Sequence, residues 1–151
     1  MGHNGKNYWK MSKTSILDLR MIDIPVIEDP RGNLSVVEKT TLPYEIKRVY
    51  YLYDVPSTSR RGGHAHIEQL ECLIALSGSF SVVLDDGRNK ETVVLKKPNK
   101  GLLIPKGIWR ELEDFSSGAV CLVLSSGEFI ESDYIRKYED FLDFKGGGSP
   151  S

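Results

Sequence analysis

"RRGGHAHIEQLE", residues 60–71, decides how the rest of the chain is read. The chain has three histidines, and two of them, His64 and His66, stand here one residue apart. Glycines precede the pair and glutamates follow it. The surrounding composition favours strands, and on a strand residues i and i+2 face the same side. His64 and His66 therefore point together, into a barrel or out to water. Two imidazoles inside a barrel are costly unless water, a ligand or a metal satisfies them. The pair thus marks a candidate site.

The length of 151 residues suits one domain. Twenty basic and 21 acidic residues leave a net charge of -1, without the basic excess of a general nucleic-acid binder. A single anionic ligand held by a few arginines remains compatible with that balance. Cys72 and Cys121 lie in the apolar runs "ECLIAL" and "AVCLVLSS" and read as two buried thiols of a cytoplasmic protein. No apolar run approaches the roughly 20 residues that span a bilayer, and no secretory signal is visible. Residues 1–14 read as a flexible lead-in, 15–144 as one domain, and 145–151, "KGGGSPS", as a flexible tail.

Short β-type runs dominate: 33–38, 46–55, 72–78, 79–87, 91–98, 100–107 and 118–126. Asp86-Gly87 is a hairpin signal. About seven strands, spaced roughly every ten residues and broken by Gly and Pro, predict an all-β sandwich or barrel. In "ESDYIRKYEDFLDF", Tyr134, Ile135, Tyr138, Phe141 and Leu142 recur at helical spacing. That predicts one short C-terminal helix with Ser132 as its N-cap. Glu111, Glu113 and Asp114 are expected to face solvent on a strand edge. Tyr51 and Tyr53 face away from Tyr50, and at least one of them is expected in the core.

The wider spacing around the pair, H-x-H-x4-E-x6-G from His64 to Gly78, resembles the first motif of the cupin superfamily of jelly-roll barrels. Metal-binding cupins use the two His and the Glu as ligands, and a fourth His from a second motif, P-x-G-x2-H. Here that motif reads Pro105-Lys106-Gly107-Ile108-Trp109-Arg110. Arginine replaces the histidine. A guanidinium has no acceptor lone pair. At an effective dielectric of 20 it would repel a divalent ion about 5 Å away by roughly 6–7 kcal/mol. If a metal binds at all, its ligands are His64, His66 and Glu71.

Several segments in order, "PYEIKRVYYLYDVP", "RGGHAH", "LIALSGSFSVVLDDG", "GLLIPKGIWRELEDFSSGAVCLVLSS" and "ESDYIRKYEDF", resemble the WxcM-like cupin family of sugar 3,4-ketoisomerases. These act on thymidine-diphosphate-linked 4-keto-6-deoxyhexoses in bacterial deoxysugar pathways, including those for O-antigen and other cell-surface polysaccharides. The resemblance runs from about Ile22 to Phe144. It implies a cupin-type jelly-roll barrel that needs no metal or other cofactor, binds a dTDP-linked keto-sugar, and forms a homodimer by exchanging N-terminal strands. It implies His64 as catalytic base with His66 as partner, Tyr50 as the active-site tyrosine, and Arg61 beside them. Arg31 and Arg110 fall at positions that vary between members and are candidates to line the sugar pocket. Glu71 falls where the family more often has glutamine.

The chemistry so implied moves a ketone from C4 to C3 through an enediol or enediolate. Imidazole, with an unperturbed pKa near 6.5, can take and give the proton at neutral pH. His64 is expected to take the carbon proton, and His66 or Tyr50 to shuttle between the two oxygens. Arg61 and the Tyr50 hydroxyl are expected to stabilise the oxyanion, where one donor is worth about 3 kcal/mol. Arg60 and Arg48 are diphosphate candidates. Trp109 either packs or stacks on a ring. Two other classes remain open: a metal-dependent cupin using His64, His66 and Glu71, and a non-catalytic nucleotide-sugar binding module.

Overall fold

A computed structural model describes residues 12–146. Its strands are β1 (Arg20–Asp23), β2 (Val26–Ile27), β3 (Leu34–Ser35), β4 (Arg48–Leu52), β5 (Arg61–His66), β6 (Glu71–Ser77), β7 (Phe80–Asp85), β8 (Lys90–Leu95), β9 (Lys100–Ile104), β10 (Trp109–Glu113), β11 (Val120–Ser125) and β12 (Tyr134–Ile135). The single α-helix among the described residues is α1 (Tyr138–Phe144). One five-stranded sheet runs β1-β9-β6-β11-β4 and the other β12-β5-β10-β7-β8; β2 and β3 form a separate ribbon. Every pairing is antiparallel. This is the all-β jelly-roll architecture expected, with a short C-terminal helix.

The alternation of each strand builds the interior in layers. Ser125 of β11 lies opposite both Arg48 and Glu71, Val123 opposite Tyr50 and Leu73, and Cys121 opposite Leu52 and Ala75. One end of the barrel interior is therefore polar and the other apolar. The apolar end is closed by Phe80 and Phe115, whose rings stack 5.2 Å apart, together with Val82, Leu84, Leu95 and Ile108. Cys72 and Cys121 are buried free thiols, and burial pushes both up to about 12, so both stay protonated. Gly78, last residue of the first motif, has φ +65°, and a Cβ there would run into Ser116 and Ala119. Only glycine turns the chain from β6 into β7 at that spot.

Several expectations are corrected. The helix covers only Tyr138–Phe144, and Lys137 rather than Ser132 precedes it, without a side-chain cap. Glu131–Asp133 is a 3-10 turn, and Tyr134–Ile135 pairs with β5 as a strand. β10 is not an edge: it lies between β5 and β7. Tyr51 and Tyr53 are both exposed, because β4 is an edge strand whose outer face no described segment covers. Of the expected lead-in and tail, residues 1–11 and 147–151 lie outside the described residues. At the inner ends of both, Lys145 Nζ donates to the carbonyls of Thr14 and Gly107. No helix among the described residues is long and apolar enough to cross a membrane.

Candidate active site

A cavity of about 330 Å³ opens between the two sheets. Its wall includes Arg48 and Tyr50 from β4, Arg61 and His64 from β5, Glu71 from β6 and Arg110 from β10, with Tyr134 from β12 and Arg136 just after it. β5 lies against β10 with Arg110 opposite His64, which brings the two motifs together.

Glu71 organises the polar end. Its Oε1 accepts from Arg110 Nη1 at 2.9 Å; its Oε2 accepts from the Ser125 hydroxyl at 2.7 Å and the Tyr50 hydroxyl at 2.9 Å. Burial alone would raise this carboxyl, but the Arg110 guanidinium and the Ser125 hydroxyl help hold Glu71 well below the usual carboxylate range. Tyr50 goes the other way: burial and the Glu71 carboxylate push its hydroxyl well above the ordinary value. Arg110, 1% exposed, also donates to the carbonyl of Ile108. Arg48 donates to Gln69 and the Tyr134 hydroxyl and stands 3.6 Å from Glu71.

The two histidines point the same way, as strand parity requires, with ring centroids 4.9 Å apart and planes nearly perpendicular. Their settings differ. His64 lines the cavity, and its Nε2 has no hydrogen-bond partner among the described residues. Burial and the Arg110 guanidinium lower its pKa to about 2, so the ring is neutral. His66 is fully buried behind the wall. Its Nδ1 lies 2.9 Å from Asp133 Oδ2, and its Nε2 stands 3.5 Å from Glu71 Oε2.

Three of the predicted residues lie elsewhere. Arg60 is on the outer surface, paired with Glu111 and Glu113. Trp109 faces outward, against Tyr138 and Phe141, because Arg110 and Leu112 take the inward parity of β10. Arg31 is exposed at the β2–β3 turn and bonded to Asp29, away from this cavity. Arg61 lies at the cavity wall, exposed, with no ion pair among the described residues. Sequence reading missed Ser125, Asp133, Tyr134 and Arg136.

His64, His66 and Glu71 offer ligand atoms within 4.8 Å of one another. The set does not fit a cation. Both carboxylate oxygens already accept hydrogen bonds, one of them from the fixed positive charge of Arg110. Removing the carboxylate from that pair would strand a buried guanidinium, which costs about 3–5 kcal/mol.

Three comparisons agree on kinship. Over 129 residues the chain is 40% identical to a TDP-4-oxo-6-deoxy-alpha-D-glucose-3,4-oxoisomerase of Aneurinibacillus thermoaerophilus, covering 85% of this chain and 93% of that one. A crystal structure of a 3,4-ketoisomerase from Helicobacter canadensis superposes with a TM-score of 0.83 at 43% identity, over 85% of this chain and 98% of the other. A histidine-to-asparagine variant of the 3,4-ketoisomerase QdtA from Thermoanaerobacterium thermosaccharolyticum, in complex with TDP-4-keto-6-deoxyglucose, gives 0.83 at 35% identity, over 85% and 94%. Residues 17–146 match the family described as FdtA: WxcM-like, C-terminal, and the chain belongs to that family.

Proposed function

We propose that this protein is a sugar 3,4-ketoisomerase, converting a dTDP-linked 4-keto-6-deoxyhexose into the 3-keto isomer. The observation that carries this reading is the free Nε2 of a neutral His64 inside a cavity bordered by guanidinium groups. A neutral ring is already in its acceptor form. It takes the proton from C3, which the neighbouring C4 ketone acidifies. The imidazolium so formed sits beside the enediolate, and the opposite charges offset one another in a site largely shielded from water. The ring then returns the proton at C4.

The exposed guanidinium of Arg61 is free for the diphosphate or the oxyanion. Tyr50 is assigned a different part from the one the sequence suggests. Its proton is committed to Glu71, so its oxygen accepts from a sugar hydroxyl instead of donating to the oxyanion. Arg48 and Arg110 shape the wall while tied to the Glu71 network. His66 supports from behind.

A homodimer is part of this reading. Val49 and Tyr51 are exposed on edge strand β4, Tyr53 just past its end, and Ile27 and Leu34 on the isolated β2–β3 ribbon. Apolar strands of that kind pair or are covered in stable proteins. Light scattering is expected to give twice the chain mass, and Tyr51→Asp to shift it toward the monomer. The cytoplasm, where nucleotide-linked sugars for surface polysaccharides are assembled, is the proposed location.

The deciding experiment is incubation with TDP-4-keto-6-deoxyglucose in deuterated water. A 3-keto product is expected by NMR, with solvent deuterium at C4 wherever the His64 proton exchanges before its return. Folded protein yielding neither the 3-keto signal nor deuterium would remove the proposal.

A further inference from the structure

Asp133 closes the 3-10 turn immediately before β12 and is almost fully buried. Its Oδ1 accepts the backbone N–H of Glu68 at 2.8 Å, and Oδ2 accepts that of Gln69 at 3.3 Å. Backbone N–H groups can only donate, so the carboxylate is held as an acceptor from that side. Oδ2 also lies 2.9 Å from His66 Nδ1. An acceptor on one side of that contact requires the proton on the other. At the far edge of the same ring, Nε2 faces Glu71 Oε2 at 3.5 Å without a hydrogen-bond partner among the described residues. Oε2 already accepts from Tyr50 and Ser125. Two acceptor atoms, one of them without a donor, thus face each other across a gap that one proton would close.

Building on the isomerase reading above, we infer that Asp133 is a positioning residue for the reaction: it fixes His66 with its proton on Nδ1 and so keeps Nε2 open behind the Glu71–Tyr50 pair. A proton released from the sugar hydroxyl passes to the Tyr50 oxygen as Tyr50 gives its own to Glu71, and Glu71 hands one on to Nε2. The net transfer is one proton from the sugar oxygen to His66, with no change in electron count. Reversal returns it to the neighbouring sugar oxygen.

The test uses Asp133→Asn in the full chain. An asparagine must put its NH2 against either the Glu68 N–H or, on the other side, the Gln69 N–H and His66 Nδ1 together. The Glu68 N–H is the closer backbone donor, 2.8 Å against 3.3 Å for Gln69, so the oxygen stays with Glu68 and the NH2 faces the ring and drives its proton to Nε2. Nitrogen-15 NMR of the histidines is expected to show Nδ1–H at His66 in the wild type and Nε2–H in the variant. kcat is expected to fall by about 100-fold or more, with KM and TDP affinity unchanged. A wild-type His66 carrying its proton on Nε2 overturns the inference, whatever the protein turns over. So does a variant with the shifted tautomer and undiminished kcat. If Asp133→Asn does not fold, the wild-type spectrum decides alone. Wild-type protein without ketoisomerase turnover removes the reading of function, and the tautomer measurement still judges the role of Asp133.

Discussion

The two ends of the barrel interior are made by the same strands and obey opposite rules. On β6 the inward positions run Glu71, Leu73, Ala75; on β11 they run Ser125, Val123, Cys121; on β4, Arg48, Tyr50, Leu52. Two residues along a strand carry the chain from a buried ion pair to closely packed hydrocarbon. At the apolar end, stability comes from excluded water and contact area. At the polar end, each charge is tolerated because a named partner faces it: Arg110 and Glu71, Asp133 and the Glu68 N–H. Three buried nitrogens have no partner among the described residues, and His64 Nε2 stands apart from Arg48 Nε and His66 Nε2 because those two side chains are bonded through their other nitrogens. A ring on the cavity wall whose buried nitrogen lacks a partner is where chemistry is expected.

His64→Asn should produce the largest effect and tests whether that ring is functional. Loss of general-base catalysis costs about 10²- to 10⁴-fold. kcat is expected to drop by that much while TDP affinity, measured by calorimetry, holds. Retained turnover would make His64 part of the packing and erase the distinction between the ends. A protein that binds TDP with no turnover in either form would instead favour a binding module.

Arg110→Met comes next and shows what the polar end needs to stay folded. Glu71 would keep a buried charge with its main cation gone, at a cost of about 3–5 kcal/mol in urea unfolding. Adding Glu71→Gln removes the stranded charge while an amide oxygen still accepts from Tyr50 and Ser125. The double variant is therefore expected to recover most of the loss. No recovery would mean that Arg110 stabilises by shape alone, as Phe80 does at the other end.

Acid should separate His64 from Glu71. In the unfolded chain His64 takes up a proton as pH falls through its ordinary 6.5, whereas the folded ring stays neutral to about 2. The unfolded state binds more protons, so stability present above pH 6.5 is lost as pH falls, at up to about 1.4 kcal/mol per pH unit. Glu71, depressed in the fold, adds its own loss only below its ordinary 4.5. Unfolding curves between pH 6.5 and 4.5 should therefore flatten in His64→Asn and keep their slope in Glu71→Gln.

Period-two alternation explains how much of this was legible. The histidine pair, the Arg48–Tyr50 face and the arginine in the second motif follow from strand parity and motif spacing, and the cavity brings Arg48, Tyr50, His64 and Arg110 together. The same parity sends Trp109 outward with Glu111, to which its Nε1 donates at 2.9 Å. Asp133, Tyr134 and Arg136 were hidden because 131–144 has helical spacing throughout, yet Tyr134–Ile135 adds to β5 as a strand. A tertiary pairing overrode a local period there, and no local pattern reports such a contact. Arg60 and Arg61 are adjacent and chemically alike; only the register of β5 sends one to the carboxylates of β10 and the other to the cavity.

That last pair gives the smallest prediction. Arg60 holds Glu111 and Glu113 on the outer surface, more than half exposed, where water and salt screen the attraction. Arg60→Ala should change unfolding stability by less than about 1 kcal/mol, and by less still at high salt. Its kcat and TDP affinity should match the wild type. Arg61→Ala, one residue away and without an ion pair among the described residues, should leave stability alone and weaken TDP binding or slow turnover. If instead Arg60→Ala weakens TDP binding as much as Arg61→Ala, the ligand reaches the outer face of β10, and the contrast between a working interior and a screened exterior fails at this strand.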